Sequence, residues 1–388
     1  MTRRLLLVLL LHSALTQVVT FVLRPTTAYR AIELDVPAAW LGVLTASFAV
    51  VPLVLAVPSG QATDRFGEQR VMLAGSVLVV ASALVFLDGR GGAAGLVAGS
   101  VLLGTGHLLS VVGQQAAVAN TAGPGTFDTA FGYYTFAASL GQAVGPALIA
   151  VVGGSSAIPD TRTIFLVATA LAALLAVVTL VLRLPRPQRA PGTAERGSMR
   201  TLLRLPGLPR ALLISCVVLA AVDITLVYLP ALGADRGLAS GFVGLLLTLR
   251  AAASMTSRFF LGRLVRLVGR RRLMTTSVAL SAVTMGLAGV PVPAWVLAVL
   301  VVLLGLGLGV GQPLTMSWLA GMTPPGLRGR AMSLRLTGNR LGQVLIPSAV
   351  GAVAVGLGAA GVLWATAAAL ALAGAAARRL AVDGPAEG

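Results

Sequence analysis

Apolar residues along this chain come in blocks of about twenty, broken by short clusters of arginine, proline and glycine. Inside a block the pattern is neither a strand-like alternation nor the one-sided stripe of a helix facing water. Cutting at the breaks leaves twelve segments of 18 to 27 residues: 5–23, 38–58, 71–88, 93–119, 127–152, 162–182, 210–231, 239–261, 273–290, 294–320, 330–352 and 356–377. About 20 apolar residues cross the hydrocarbon of a bilayer as a helix, so the pattern predicts an all-α protein with twelve transmembrane helices. One stretch departs from it: "RLPRPQRAPGTAERGSMRTLLRLPGLPR", rich in proline and arginine, begins at residue 183. It reads as a linker, and the predicted organisation is a six-helix bundle over 1–182, a cytoplasmic linker over 183–209, and a second six-helix bundle with a short tail over 210–388.

Composition agrees with a lipid solvent. The chain of 388 residues is 57% hydrophobic and 11% charged, whereas soluble domains run near 25% charged. The net charge of +17 raises the question of nucleic acid, and its distribution answers it. Twenty of the 29 arginines fall in the loops and tails of one side, four on the other, and five within or at the ends of helices. That bias predicts both termini in the cytoplasm of a multi-pass protein of the cell (inner or plasma) membrane, with no nucleic-acid partner.

Lysine is absent from the chain, which excludes a Walker A site and a Schiff-base lysine. The single cysteine, Cys216, excludes an intrachain disulfide and a cysteine metal cluster. No HExxH, GxSxG or cluster of acids is present, so no cofactor, metal or enzymatic activity is expected. The opening "MTRRLLLVLLLHSALTQVVTFVL" resembles a signal peptide, yet it is long enough to span and lacks an A-x-A site. It is expected to be the first helix, retained.

The halves repeat. "VGQQAAVANTAGPGTFDTAFGYYTFAASLGQAVGPALIA" (112–150) aligns with "VGQPLTMSWLAGMTPPGLRGRAMSLRLTGNRLGQVLIPSAVG" (310–351) after a three-residue gap. Gln114 then meets Gln312, Gly141-Gln142 meets Gly342-Gln343, and Pro146 meets Pro347. Gly60 to Gly67 after the second segment has the spacing of Gly262 to Gly269 after the eighth. Two such copies are expected to enclose a cavity between them at mid-membrane.

"GQATDRFGEQR" (60–70) resembles the G-x-x-x-D-R-x-G-R-R loop of the major facilitator superfamily, and "GRLVRLVGRRR" (262–272) is similar to its second-half partner. The resemblance implies a twelve-helix secondary transporter working by alternating access, with a gating motif at Gly60, Asp64, Arg65, Gly67 and Arg70 and again at Gly262, Arg263, Gly269 and Arg270. In that motif Gly60 would permit close helix packing, Gly67 a tight turn, and Asp64 a contact with the positive N-terminal end of the eleventh helix at Arg328 and Arg330. Glu68 stands where the family has arginine, and Arg266 replaces the acid of the second copy. Only the first copy is therefore expected to form a carboxylate latch. "GQAVGP" (141–146) resembles the antiporter-associated motif of the fifth helix, with Gly141, Gly145 and Pro146 in place and its final glycines replaced by Ile149-Ala150.

Polar residues inside the apolar segments are the candidates for solute binding or proton coupling. Arg250 lies in the middle of the eighth segment, and Asp223 in the seventh is the one carboxylate well inside a segment. Arg250 can serve a solute or coupling site, or form a structural ion pair with Asp223. Asp223 can load and release protons or hold a static clamp. Gln17 and Arg24 on the first segment and His107 on the fourth are further candidates, and Arg24 can instead snorkel to the outer interface. His12 is weighed as a packing residue. On the eleventh segment, Arg335, Asn339 and Gln343 fall within an 80° arc at 100° per residue, with Arg340 60° beyond Gln343. Asn339, Arg340 and Gln343 are taken as site residues; Arg335 is near the cytoplasmic end and can snorkel. Three or four interior arginines against one acid favour an anionic or amphiphilic organic solute, driven by protons, with export favoured over uptake by the helix-five motif. Uptake of an organic anion by proton symport and lipid flipping are the alternatives. The expected partners are the small-molecule substrate, the bilayer and the proton, for a monomeric carrier.

Overall fold

The computed structural model describes residues 3–35, 38–123, 125–152, 159–184, 202–203, 205, 207–238, 240–324, 326–353 and 358–378; most of the expected linker and the C-terminal tail lie outside them. Thirteen helices are assigned among the described residues. They are α1 (Arg3–Glu33), α2 (Ala38–Phe66), α3 (Glu68–Asp88), α4 (Gly92–Thr121), α5 (Phe127–Val152), α6 (Thr161–Val181), α7 (Leu208–Asp235), α8 (Ser240–Phe259), α9 (Leu261–Val268), α10 (Arg270–Ala288), α11 (Ala294–Met322), α12 (Arg328–Val353) and α13 (Gly358–Arg378). The additional short helix, α9, is the second loop motif itself. Among the described residues, seven helices are long and apolar enough to cross a membrane by length and composition. Those outside this set include α8, α10 and α12, which carry two, three and four arginines.

The helix α1 runs ten residues beyond the apolar segment that announced it, straight through Pro25. Proline removes one backbone donor, and neighbouring threonines turn to the nearby carbonyls: Thr26 Oγ1 donates to Val22 O at 2.7 Å and Thr27 Oγ1 to Arg24 O at 2.7 Å. Hydroxyl groups of this kind are how lipid-bathed helices tolerate proline. At the far end Arg30 pairs with Glu33 at 2.7 Å, and Thr161 of α6 donates to the same carboxylate. The helix α6 starts on Asp160, whose side chain accepts from both the amide and the hydroxyl of Thr163.

Neighbouring residues group into two compact units, one of 1–123, 137–194 and 325–334, the other of 124–136, 195–324 and 335–388. In the first unit α4 packs on α2 and α3, and α6 on α1 and α3; in the second α11 packs on α8 and α10, and α13 on α7 and α10. The same neighbour map drawn twice is the spatial form of the repeat. The first unit's core includes Val19, Val22 and Leu23 of α1 and the stacked rings of Phe86 and Phe165, 5.5 Å apart.

Helices approach closely where side chains are small, because lipid supplies no hydrophobic drive between them. The run "GLGLGVG" (305–311) shows how one helix meets three neighbours. A Cβ at Gly307 would lie 2.7 Å from Ser277 O on α10, one at Gly309 2.6 Å from Ser254 O on α8, and one at Gly311 3.0 Å from Val218 on α7. This is packing, and it leads to a clear expectation. Gly307→Val should destabilise the protein by about 1–3 kcal/mol, the usual cost of overpacking. Gly95→Ala, at a helical site with open space around it, should cost nothing. Thermal unfolding of the two variants in one detergent checks the contrast.

Candidate functional site

Both loop motifs make a tight turn at a glycine with positive φ: 91° at Gly67 before α3 and 84° at Gly269 before α10. The first motif contacts the start of α12. Asp64 accepts from the backbone amides of Gly329 at 2.8 Å and Arg330 at 3.1 Å, and its carboxylate lies 3.5 Å from Arg330 Nε. The glycines allow this approach, since a Cβ at Gly60 would lie 2.7 Å from Gly329 O and one at Gly329 2.6 Å from Asp64 Oδ1. A carboxylate facing free amides at a helix N-terminus is a favourable charge–dipole arrangement. Glu68, where the motif departs from its family, is buried and accepts from Asn120 Nδ2, and Arg328 donates to Asn120 Oδ1 and Ala119 O. Arg65 and Arg70 are exposed.

The second copy contains an ionic contact that the sequence reading did not foresee. Arg270 pairs with Asp128 in the first turn of α5, at 2.7 Å through Nη2 and 3.2 Å through Nε. Ser317 of α11 also donates to Asp128. The polarity is reversed relative to the first copy: the loop brings the cation and the helix N-terminus the carboxylate. In the repeat alignment Asp128 falls opposite Gly329, and Arg270 opposite Glu68. Those two complementary differences are a signal in the sequence that shows only when the loop is set against its partner helix. Gly262 packs on Thr129, and Arg263 is exposed.

Deeper in the helices, two glycine–glutamine pairs are built alike. Gly141 brings α5 against α1, its Cβ position 2.9 Å from Gln17 Cβ, and Gln142 then reaches Gln17 Oε1 at 3.4 Å. Gly342 brings α12 against Cys216 of α7, and Gln343 donates to Asp223 Oδ2 at 2.7 Å. Arg340 donates to Gln343 Oε1 at 3.0 Å, completing a chain Arg340–Gln343–Asp223. Arg250 is 6% exposed and its Nε finds no hydrogen-bond partner. Among the described residues no ion pair joins it to Asp223, although both Arg250 and Arg340 act on that carboxylate through their charge. A simple Arg250–Asp223 clamp is thus not what the structure contains. Gly145 meets Val18 and Phe21 of α1, and Pro146 is exposed on α5.

The polar residues of α12 divide into two levels rather than one face. Asn339 joins Arg335, which is 2% exposed and buried instead of snorkelling at an interface. Arg335 Nη1 donates to Gln312 Oε1 at 2.8 Å and Ser215 Oγ at 3.2 Å, Ser215 donates to Asn339 Oδ1 at 2.8 Å, and Gln312 Nε2 donates to Ser215 O at 2.8 Å. The repeat mate of Gln312, Gln114, bonds His12 Nδ1 at 2.8 Å and Thr16 at 3.0 Å, while His12 Nε2 meets Thr179 Oγ1 at 2.8 Å. His12 is therefore a fully satisfied packing residue. Arg24 does not enter the interior; it is exposed and stacks 4.3 Å over the ring of Phe48, which also tilts against His107. His107 Nδ1 lies 3.0 Å from Thr20 Oγ1.

A duplicated helical unit with paired loop latches and charged groups held inside apolar helices defines a membrane carrier. The family model "Major Facilitator Superfamily" matches residues 5–238 and 211–388, and the chain belongs to that superfamily of transporters. The chain is 31% identical over 170 residues to Multidrug resistance protein 1 of Bacillus subtilis (strain 168), a match covering 44% of this chain and 42% of that protein, less than half of either. A solved structure of the fucose:proton symporter FucP of E. coli shares its fold at a TM-score of 0.80 and 14% identity, over 95% of this chain and 97% of that one. The human organic anion transporter MFSD10 (TETRAN) does so at 0.78 and 20% identity, over 97% and 99%.

The reversed latch makes its own prediction. Asp128→Ala and Arg270→Ala should each cost about 1–3 kcal/mol, and the double variant little more than either alone, because the pair is largely buried and charge-assisted. A double-mutant cycle on thermal stability reads the coupling; strict additivity would show that the two groups act independently.

Proposed function

We propose that this protein is a proton-coupled carrier for a small organic anion, or an amphiphile with an acidic head, working by alternating access in the cell membrane with both termini cytoplasmic. The observation that carries this reading is Arg250: a buried guanidinium with an unpartnered Nε, beside the chain Asp223–Gln343–Arg340. Two cations bear on one acid there, leaving a positive balance. A solute carboxylate or sulfonate would supply the acceptor that Arg250 lacks, a charge-assisted bond worth more in a low-dielectric site than in water. A proton on Asp223 removes the competing internal anion, and its loss restores that competitor, so proton and solute act on the same guanidinium groups. Gln343 holds the carboxylate in place between them.

Two comparisons support parts of the reading. The MFSD10 structure belongs to an organic anion transporter and the FucP structure to a proton symporter. Export is supported by the helix-five motif at Gly141, Gly145 and Pro146 and by the name of the Bacillus relative. Proton symport into the cell is the second reading, favoured by the FucP likeness.

In a thermal-shift screen, wild type should be stabilised by small organic acids, and Arg250→Ala should weaken that binding tenfold or more, the loss of one charge-assisted bond of about 1.5–3 kcal/mol. Stabilisation by cationic drugs alone would refute the anionic assignment. Asp223→Asn should still bind acids but lose the response of transport to an imposed pH gradient. Measuring flux in right-side-out and inverted vesicles separates export from uptake.

A further inference from the structure

A cavity of about 670 Å3 lies within the second unit, bounded by the end of α8, by α9, and by α10 and α11. Its size falls in the range of small-ligand pockets. Leu264, Leu273, Leu280 and Val310 contribute much of the wall, and Phe260 and Leu267, 46% and 72% exposed, form an apolar lip. Four hydroxyl residues also line it, yet none offers its proton to the cavity. Thr256 donates to Ala252 O, Ser257 to Ser254 O, Thr276 to Arg272 O and Ser277 to Met274 O. The floor is therefore hydrocarbon in character, suited to an acyl chain and hostile to a polar solute.

The single charged lining residue is Arg263, exposed and in no ion pair among the described residues. Arg266 follows one turn later on α9, and Arg271 and Arg272 lie in the first turn of α10. No aspartate or glutamate occurs anywhere between Arg236 and Val382. The segments that form the cavity therefore offer Arg263 and Arg266 no carboxylate of their own, and Asp128, at the start of α5, is engaged by Arg270. An apolar slot opening beneath an arginine cluster at the loop end of a membrane helix bundle has the charge and shape of a phospholipid site.

We propose that this cavity binds an anionic phospholipid, with one acyl chain in the slot and the phosphate on Arg263. The site is separate from the Arg250–Asp223 region and does not depend on its solute. Occupancy would brace α9 against α10 and α11, on the segment that delivers Arg270 to Asp128.

Native mass spectrometry of the full-length protein, offered phosphatidylglycerol and phosphatidylcholine with identical chains, tests the assignment. Wild type should retain phosphatidylglycerol about fivefold better, and Arg263→Gln should erase that preference, the effect of one arginine near a charged lipid surface. Thr276→Trp, which fills the slot from an exposed position, should reduce retention of both lipids. Equal retention of the two lipids by wild type would overturn the proposal without recourse to any variant. So would unchanged phosphatidylglycerol retention in both variants, or its displacement by a soluble organic acid at matched concentration.

Discussion

Placing a guanidinium in hydrocarbon costs at least about 2.5–3.5 kcal/mol, and arginine does not escape by losing its proton. A chain whose every cation is arginine must therefore find oxygen for each one it buries. Arg335 takes side-chain oxygens from Gln312 and Ser215. Arg258 reaches the carbonyl of Gly309, an acceptor exposed where a glycine leaves the helix surface bare. Arg340 uses Gln343. Arg250 keeps a buried Nε with no hydrogen-bond partner, and a buried donor without an acceptor is costly enough to need a reason.

The repeat shows how the same frame supports different chemistry. Glycine at 141 and 342 brings a helix to its neighbour, and the following glutamine reaches across. In the first unit it finds another amide, Gln17; in the second it finds a carboxylate, Asp223. The buried glutamines 114 and 312 likewise keep their place while their partners change from a histidine and threonine to an arginine, asparagine and serine. Shared backbone geometry with divergent side chains is what places a buried arginine and a carboxylate at these two positions in the second copy, where the first has a histidine and an amide.

Much of this was legible in the chain. Segment length and hydropathy report helices directly because lipid imposes the period, and the equal spacing of Gly60–Gly67 and Gly262–Gly269 announced the duplication. Helical geometry relates Arg340 and Gln343 on their own helix, whereas their approach to Asp223 joins two helices and is not readable from one. What failed were inferences that needed a partner. The cut at residue 23, ahead of Arg24 and Pro25, falls short of the helix end because the threonines that compensate for the proline lie after it. Arg335 stayed open between interface and interior because its acceptors, Gln312 and Ser215, sit on two other helices. The contact of Arg270 with Asp128 spans 142 residues, and each half of it looks ordinary alone.

The opposite polarity of the two loop contacts bears on how a duplicated chain folds. Similar halves invite misassembly, each loop being a plausible tenant of the other's berth. Here the exchange is penalised. The first loop, delivered to α5, would set Glu68 against Asp128, acid against acid; the second, delivered to α12, would put Arg266 where Asp64 receives backbone amides and bring a further cation toward Arg330. Specificity comes from repelling the wrong partner as well as attracting the right one, so the inverted charges serve as two keys that do not turn each other's locks.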